Sequence, residues 1–556
     1  VIGLGSVMLL APPLTEIQAI HGDVTSEATV NSTDTRIYLS QESARDSRGT
    51  SQASGLWSSL SPTLLRAVSV SMIMQDLGRC FATHSGRIAV THRDYARSRC
   101  VQRIDDFVSH TWQTGRWQKF LALCMVYNWK AAVCSSWLGA LVMLVLQLDA
   151  VAVCPKRTAF TVWQGGEVFS STRSLWATAV CPLLFLTFGI FWQNMGRPRT
   201  AFIDRFCIHQ TDPELKKDGI RGLAGFLKQT QRLVVLWTPA YFERLWCTYE
   251  LATWIHLAKD DPPSICFVAV GFAVFVGTLT SFFFALTTIL SLSDIVTRQV
   301  TALVPTLCSV VFLMPLTIAL ARHHVHDMGS LQQQLQTFSV TKAKCFCCDS
   351  GHVDPLTGKT TPCDRELVYS TLELWFRSTP NSWSLEKAEK LQIESLDYFD
   401  GLVQTVVSSH LKSLHGYNLS YQHTLIIGSP VFWLFTTRAT YLEPLPWSEK
   451  LRYCCFAGTA VFAVIPLMTW LILQICNFFD RALVGNKVNW YFKARATLAC
   501  SIAVCGAFAL ASQSLRIPFE NFSSPLLQYV SSFFLFFLAT VVYQCNALSP
   551  FGAGLQ

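Results

Sequence analysis

Apolar runs of roughly membrane-crossing length recur along this chain, at 132–152, 174–192, 266–290, 301–320, 454–476, 496–511 and 529–542. A helix needs about 20 mainly apolar residues to cross the hydrocarbon core of a bilayer, so each run reads as a span. An eighth run, 424–437, is short, carries Gly428 and Pro430, and stops at Arg438. It is either a broken span or a re-entrant piece. Composition agrees with a chain of this kind. Only 14% of the residues are charged and 51% are hydrophobic, whereas soluble domains carry about 25% charged residues. The expected partner is therefore the lipid bilayer.

The net charge of +8 belongs first to the flanks of the spans. Basic residues gather before 132, between 192 and 266, in 322–423 (Lys342, Lys344, Lys359, Arg365) and at Arg481, Lys487, Lys493 and Arg495. These regions share one side only if 424–437 crosses the membrane. The positive-inside rule then puts them in the cytosol. No basic stripe interleaved with aromatics points to nucleic acid. The 20 Cys are scattered through spans and loops, unlike a small secreted disulfide scaffold. Residues 1–60, rich in Ser and Thr, read as disordered.

Two polar segments carry short strand and helix patterns. In RIDDFVSHTW, from Arg103, an apolar core ends in Ser109-His110-Thr111. An amphipathic helix with Trp117, Phe120, Leu121, Cys124 and Tyr127 follows and runs into the first span. After two spans the pattern resumes. Phe202-Ile203 is a short strand, Thr211-Asp212-Pro213-Glu214 is a helix start with Thr211 as cap, LVVLW (Leu233 to Trp237) is a buried strand, and RLWCTYELATW is a helix. Strands alternating with helices predict a parallel α/β sheet. Functional groups of such sheets collect at the carboxyl ends of strands, which would bring His110, His209, Asp212 and Glu250 together.

These residues carry a resemblance. The stretch 202–251 resembles the central part of Toll/interleukin-1 receptor (TIR) domains, above all plant-type ones. It shares an acidic residue after a strand (Asp204), a variable loop before a helix, a buried strand ending in a small polar residue and Tyr, and the run Trp246-Cys247-Thr248-Tyr249-Glu250-Leu251. Residues 105–109 look like the first strand of that fold. The 204–210 stretch also resembles fungal heterokaryon-incompatibility domains. The Ser-His-x-Trp, Cys-Ile-His-Gln and Arg-Leu-Trp-Cys-x-Tyr-Glu-Leu runs are similar to those of multispan membrane families of dinoflagellate algae. The likeness implies a TIR-like module interrupted by two spans and cut short by the span at Cys266.

In TIR enzymes the residue matching Glu250 cleaves the nicotinamide–ribose bond of NAD. That reaction develops positive charge on the ribose, which a carboxylate stabilises. The resemblance thus implies Glu250 as catalytic residue, and NAD as substrate contacted by Asp204, Asp212, Trp246 and Tyr249. His110 and His209 are the acid/base candidates. The alternative is structural: Glu250 pairs with Arg244 or Arg205, and Trp246 and Tyr249 are core. TIR domains also act as interaction modules, so self-association or TIR-like partners are expected on that reading.

A separate cluster lies in CFCCDSGHVDPLTGKTTPC. Zinc takes four N or S ligands, and Cys345, Cys347, Cys348, His352 and Cys363 supply five. Structural zinc is one reading; reduced or palmitoylated thiols are the other.

The expected organisation is a disordered region (1–60), the first part of the TIR-like module (100–128), a transmembrane hairpin (132–192), the second part of the module (201–257), a second hairpin (264–320), a cytosolic Cys-rich and amphipathic helical region (322–423), and a C-terminal transmembrane bundle (424–556). The fold class is a polytopic α-helical membrane protein of seven or eight spans with a cytosolic α/β module. Three functions fit: a membrane-anchored signalling or assembly protein, a membrane NAD glycohydrolase, or a transporter or channel that the module regulates.

Overall fold

The structure, a computed structural model, describes residues 60–82, 92–148, 150–155, 157–162, 168–196, 198–257, 264–293, 309–353, 358, 360, 363–376, 385–408, 420–440, 447–481, 490–521 and 525–548. The expected disordered segment, Leu60 apart, lies outside the described residues. The protein is mostly helical, with one six-stranded sheet and one two-stranded sheet.

The large sheet contains β1 (Arg66–Ser69), β2 (Arg99–Cys100), β3 (Ile104–His110), β6 (Thr200–Phe202), β7 (Thr230–Trp237) and β8 (Ile265–Ala269), in the spatial order β2-β1-β6-β3-β7-β8. The two-stranded sheet is a hairpin of β4 (Arg157–Val162) and β5 (Val168–Arg173). In the large sheet β6, β3, β7 and β8 are parallel, while at one edge β1 pairs antiparallel with both β6 and β2. The sheet is thus mixed, not purely parallel as the strand–helix alternation predicts. The four residues of β1 are too few to show a period.

β3 and β7 are buried over most of their length, as parallel strands covered on both faces must be. Asp106, fully buried in β3, is paired by Arg199 Nε and Arg232 Nε, each at 2.6 Å. It therefore ties β3 to the residue preceding β6 and to β7. Phe107 and Phe202 stack at 4.4 Å between ring centroids on the same sheet.

Helix α1 (Arg116–Tyr127) follows β3, and only Asn128 separates it from α2 (Trp129–Leu146). The β4–β5 hairpin and α3 (Trp176–Met195) come next, and α3 returns the chain to β6. Helices α2 and α3 are thereby the crossover between two neighbouring parallel strands. They expose Leu138, Val145, Leu183 and Leu186 on their outer surfaces, as lipid-facing helices do. Helix α4 (Pro213–Arg221) is capped by Asp212, whose side chain accepts from the Glu214 and Leu215 amides. The cap is therefore Asp212 and not the expected Thr211. Helix α5 (Leu223–Lys228) leads into β7, and α6 (Leu245–Leu257) connects β7 to β8.

The span expected at 266–290 begins later. Residues up to Ala269 form β8, and α7 (Val270–Ser293) starts at the next residue. The sheet thus gains a fourth parallel strand where truncation was expected, and 264–269 belong to it and not to a membrane hairpin. Hydropathy hides the boundary because strand and helix are both apolar. Helix α8 (Met314–Gln336) leads to α9 (Asp364–Phe376) and α10 (Leu385–Leu402), and Lys344, Asp364, Trp375 and Phe376 meet residues of α6 or the residue just before it. The α/β unit therefore draws on three separate stretches of chain instead of the expected two.

The remaining helices are α11 (Tyr421–Ala439), α12 (Trp447–Thr459), α13 (Ile465–Phe479), α14 (Trp490–Asn521) and α15 (Pro525–Leu548). Helix α11 is continuous through Gly428 and Pro430. Among the described residues, four helices are long and apolar enough to cross a membrane: Trp129–Leu146, Trp176–Met195, Val270–Leu292 and Trp447–Phe479. Gln528–Gln544 is a shorter apolar helix. These helices fit an integral membrane protein. Part of the run at 301–320 lies outside the described residues.

Candidate functional site

Taken in chain order, the four parallel strands lie 2-1-3-4, so the order reverses between β3 and β7. In open α/β sheets, ligands bind outside the carboxyl ends of the strands at such a reversal. Ser109 and His110 end β3 there, Thr238 to Tyr241 follow β7, and α6 carries Glu250. Ser109 Oγ donates to Glu250 Oε2 at 2.5 Å and lies 2.6 Å from the Tyr241 hydroxyl. Tyr241 can therefore donate to Ser109 and Ser109 to Glu250, a relay that ends on the carboxylate. Burial raises the Glu250 carboxyl to about 8, against the opposing Ser109 hydrogen bond. Glu250 thus bonds Ser109, while Arg205, one of its expected partners, pairs with Asp94 at 3.1 Å.

A second polar group adjoins the first. The His110 ring meets Phe81 at 5.2 Å and Trp112 at 4.7 Å, both edge-on. Lys119, fully buried on α1, places its ammonium 5.1 and 5.2 Å from the same two rings. Neither His110 Nε2 nor Lys119 Nζ has a hydrogen-bond partner among the described residues. Burial lowers Lys119 to about 8, with Asp204 opposing. Burial, followed by the Lys119 charge, pushes His110 well below the ordinary imidazole range. Asp204 accepts from Trp112 Nε1 at 2.9 Å, and burial raises its carboxyl. Lys119 was not singled out in the sequence. Its signal is a lone cation on the stripe otherwise occupied by Ala122 and Leu123.

The other expected site residues lie elsewhere. His209 Nδ1 accepts from the Asp212 amide at 2.9 Å, and its ring meets Tyr95. Both His209 and Asp212 thus serve the turn that starts α4. Trp246 Nε1 donates to Asp364 at 3.1 Å, and Tyr249, fully buried, stacks on Trp375 at 5.8 Å. These two aromatics join α6 to α9, whereas Glu250 looks toward the strand ends.

The Cys cluster sits beside the start of α6. Sγ separations are 3.1 Å for Cys345–Cys347, 3.9 Å for Cys347–Cys348 and 3.8 Å for Cys348–Cys363. Two overlapping ligand groups, Cys345/Cys347/Cys348 and Cys347/His352/Cys363, each have ligand atoms within 4.8 Å of one another. A turn with positive φ at Gly351 and His352 brings the imidazole there. The Asp364 amide donates to Cys347 Sγ at 3.2 Å. The cluster can hold a metal ion. All five residues expected from the sequence are in it.

Comparison of the chain with protein-family models, with curated proteins and with solved structures finds no match.

Proposed function

We propose that the protein is a membrane-anchored signalling or assembly protein, acting through a cytosolic TIR-like α/β module that pairs with further copies or related modules. The junction between sheet and membrane helices carries this reading. β8 passes into α7 with no intervening residue, and α1 passes into α2 through Asn128 alone. A displacement of the sheet on association would be passed directly to the helices. Trp246 and Tyr249, which would line the substrate in a catalytic reading, are engaged by α9, and this also favours assembly. The test is energy transfer between copies labelled at an engineered thiol replacing exposed Lys217, in vesicles at low protein density. Transfer above that of randomly placed copies is expected; its absence sinks the reading. Thiols at Gln113 and Lys217 should also label from the same side of sealed vesicles.

A second reading, NAD glycohydrolase, is favoured by Glu250, half-buried at the strand-order reversal. Stabilising ribosyl cation character needs the ionised carboxylate, so nicotinamide release should rise with pH through about 8 and vanish in Glu250→Gln. No release at any pH from the folded protein excludes it.

The Cys cluster fits structural zinc. Cys345 and Cys347 are buried and the other three ligands are partly covered, and structural zinc sites are closed to solvent ligands. Metal analysis should find about one zinc per chain, lost when Cys347 and Cys348 are both Ser.

A further inference from the structure

The helix that carries Glu250 is held from outside the sheet. The first amides of a helix have no partner within it. In α6 the Leu245 amide donates to the Lys344 carbonyl at 3.2 Å, and the Lys344 amide donates to the Glu243 carbonyl at 2.6 Å. Lys344 directly precedes Cys345. On the other side of the cluster, Cys363 directly precedes Asp364, whose carboxylate accepts from Trp246 Nε1 and whose amide donates to Cys347 Sγ. Both ends of the Cys-rich loop are therefore stitched to the first turns of α6, and the four sulfurs lie between the stitches.

The sulfur geometry suits one ion. A zinc–thiolate bond of about 2.3 Å in a tetrahedron puts neighbouring sulfurs about 3.8 Å apart. Cys347–Cys348 and Cys348–Cys363 stand at 3.9 and 3.8 Å; the 3.1 Å Cys345–Cys347 separation has to open, and Cys345 and Cys363, which fall in separate three-ligand groups, have to converge on the ion. A disulfide would need sulfurs about 2 Å apart. Arg365 holds the backbone just before the loop through the Thr341 and Ala343 carbonyls, and its guanidinium also reaches Cys348, a contact that zinc would displace.

We propose that Cys345, Cys347, Cys348 and Cys363 bind one zinc ion that latches the Cys-rich loop to α6, and that Asp364 transmits the latch to Trp246 and so fixes Glu250 against Ser109. This rests on the zinc reading and adds to it a regulatory consequence: removal of the metal loosens the Glu250 helix while the membrane helices stay in place.

The test is amide hydrogen exchange of the full chain in detergent or nanodiscs, before and after a zinc chelator, with the released metal quantified. Exchange across 245–257 should speed up about tenfold or more on chelation while that of α7 does not change. Asp364→Ala keeps all four sulfurs and the backbone amide beside Cys347, and removes the acceptor of Trp246 Nε1. It should retain the zinc but show faster exchange in 245–257 before any chelator is added, and a smaller further response. Zinc release with unchanged exchange in 245–257 would overturn the latch and leave the zinc reading standing. Freshly reduced, folded protein that binds no added zinc would overturn both.

Discussion

Helix α6 has two working faces, and they are built in different ways. Toward the sheet, Glu250, Ser109 and Tyr241 form an oxygen relay assembled from β3, the turn after β7, and α6 itself. Away from the sheet, the sulfurs of one short loop meet Trp246 through Asp364. The first face comes from residues far apart in sequence, and its electrostatics are set by burial. The second is local, and its ligands are soft groups whose arrangement an ion can complete. The contrast teaches that the dependence runs one way: loss of the sulfur face should loosen the relay through Trp246, while loss of the relay leaves the sulfurs of the loop in place.

The largest expected effect removes their common support. Asp106→Ala leaves Arg199 and Arg232 without their buried partner and should cost about 3 kcal/mol, read as a large drop in thermal midpoint. Both faces should be lost together; zinc retained after the sheet has melted would show that the loop folds alone.

A gain should follow from Lys119→Met. It removes a buried ammonium that has no hydrogen-bond partner among the described residues and should stabilise the protein by about 1–2 kcal/mol at pH 7. Above about 8 the folded chain sheds this proton while the unfolded chain keeps it to near 10.5. Wild-type stability therefore recovers over that window, and the gain shrinks. Zinc content should not change. A destabilised Lys119→Met would mean that the ammonium has a partner the protein needs.

Glu250 predicts the opposite trend with pH. The unfolded carboxyl ionises near 4.5 and the folded one near 8. Between those values only the unfolded state loses the proton, so stability falls as pH rises and levels off above about 8. Glu250→Gln should flatten this slope; an unchanged slope would place the titration elsewhere. The smallest effect is that of Tyr241→Phe, which removes the first member of the relay for about 1 kcal/mol. It should also raise the pH at which the slope ends, because the relay donates toward the carboxylate, a shift that the same titration reads.

Much of this was legible in the sequence, for reasons that differ by element. The strands LVVLW and IDDFVSH show as buried apolar runs bounded by polar residues. The Cys cluster shows because its ligands lie within one loop. β8 did not show, since ICFVA passes into VGFAVF without a polar residue to mark where strand becomes helix. Asp106 reads as one acid in an Asp-Asp pair, and only the fold reveals that it faces two arginines. The role of Asp364 depends on Trp246, more than a hundred residues earlier and across two apolar runs, so no local pattern announces it. Trp246 and Tyr249 were recognisable as a motif with Glu250, but one helix can point residues of a motif at different neighbours.

The direct passage from β8 into α7 also governs how the protein is made. β3 leaves the ribosome before α2 and α3, and β6 and β7 follow only after that hairpin of two membrane-length helices. The final parallel strand is then followed without pause by the next membrane helix. The sheet must close while its own crossovers are being inserted, and the loop that braces α6 arrives later still. β1 and β3 wait for β6 and β7, which follow the α2–α3 hairpin in the chain. Faulty insertion of α2 and α3 would leave β3 with an exposed edge at the membrane surface.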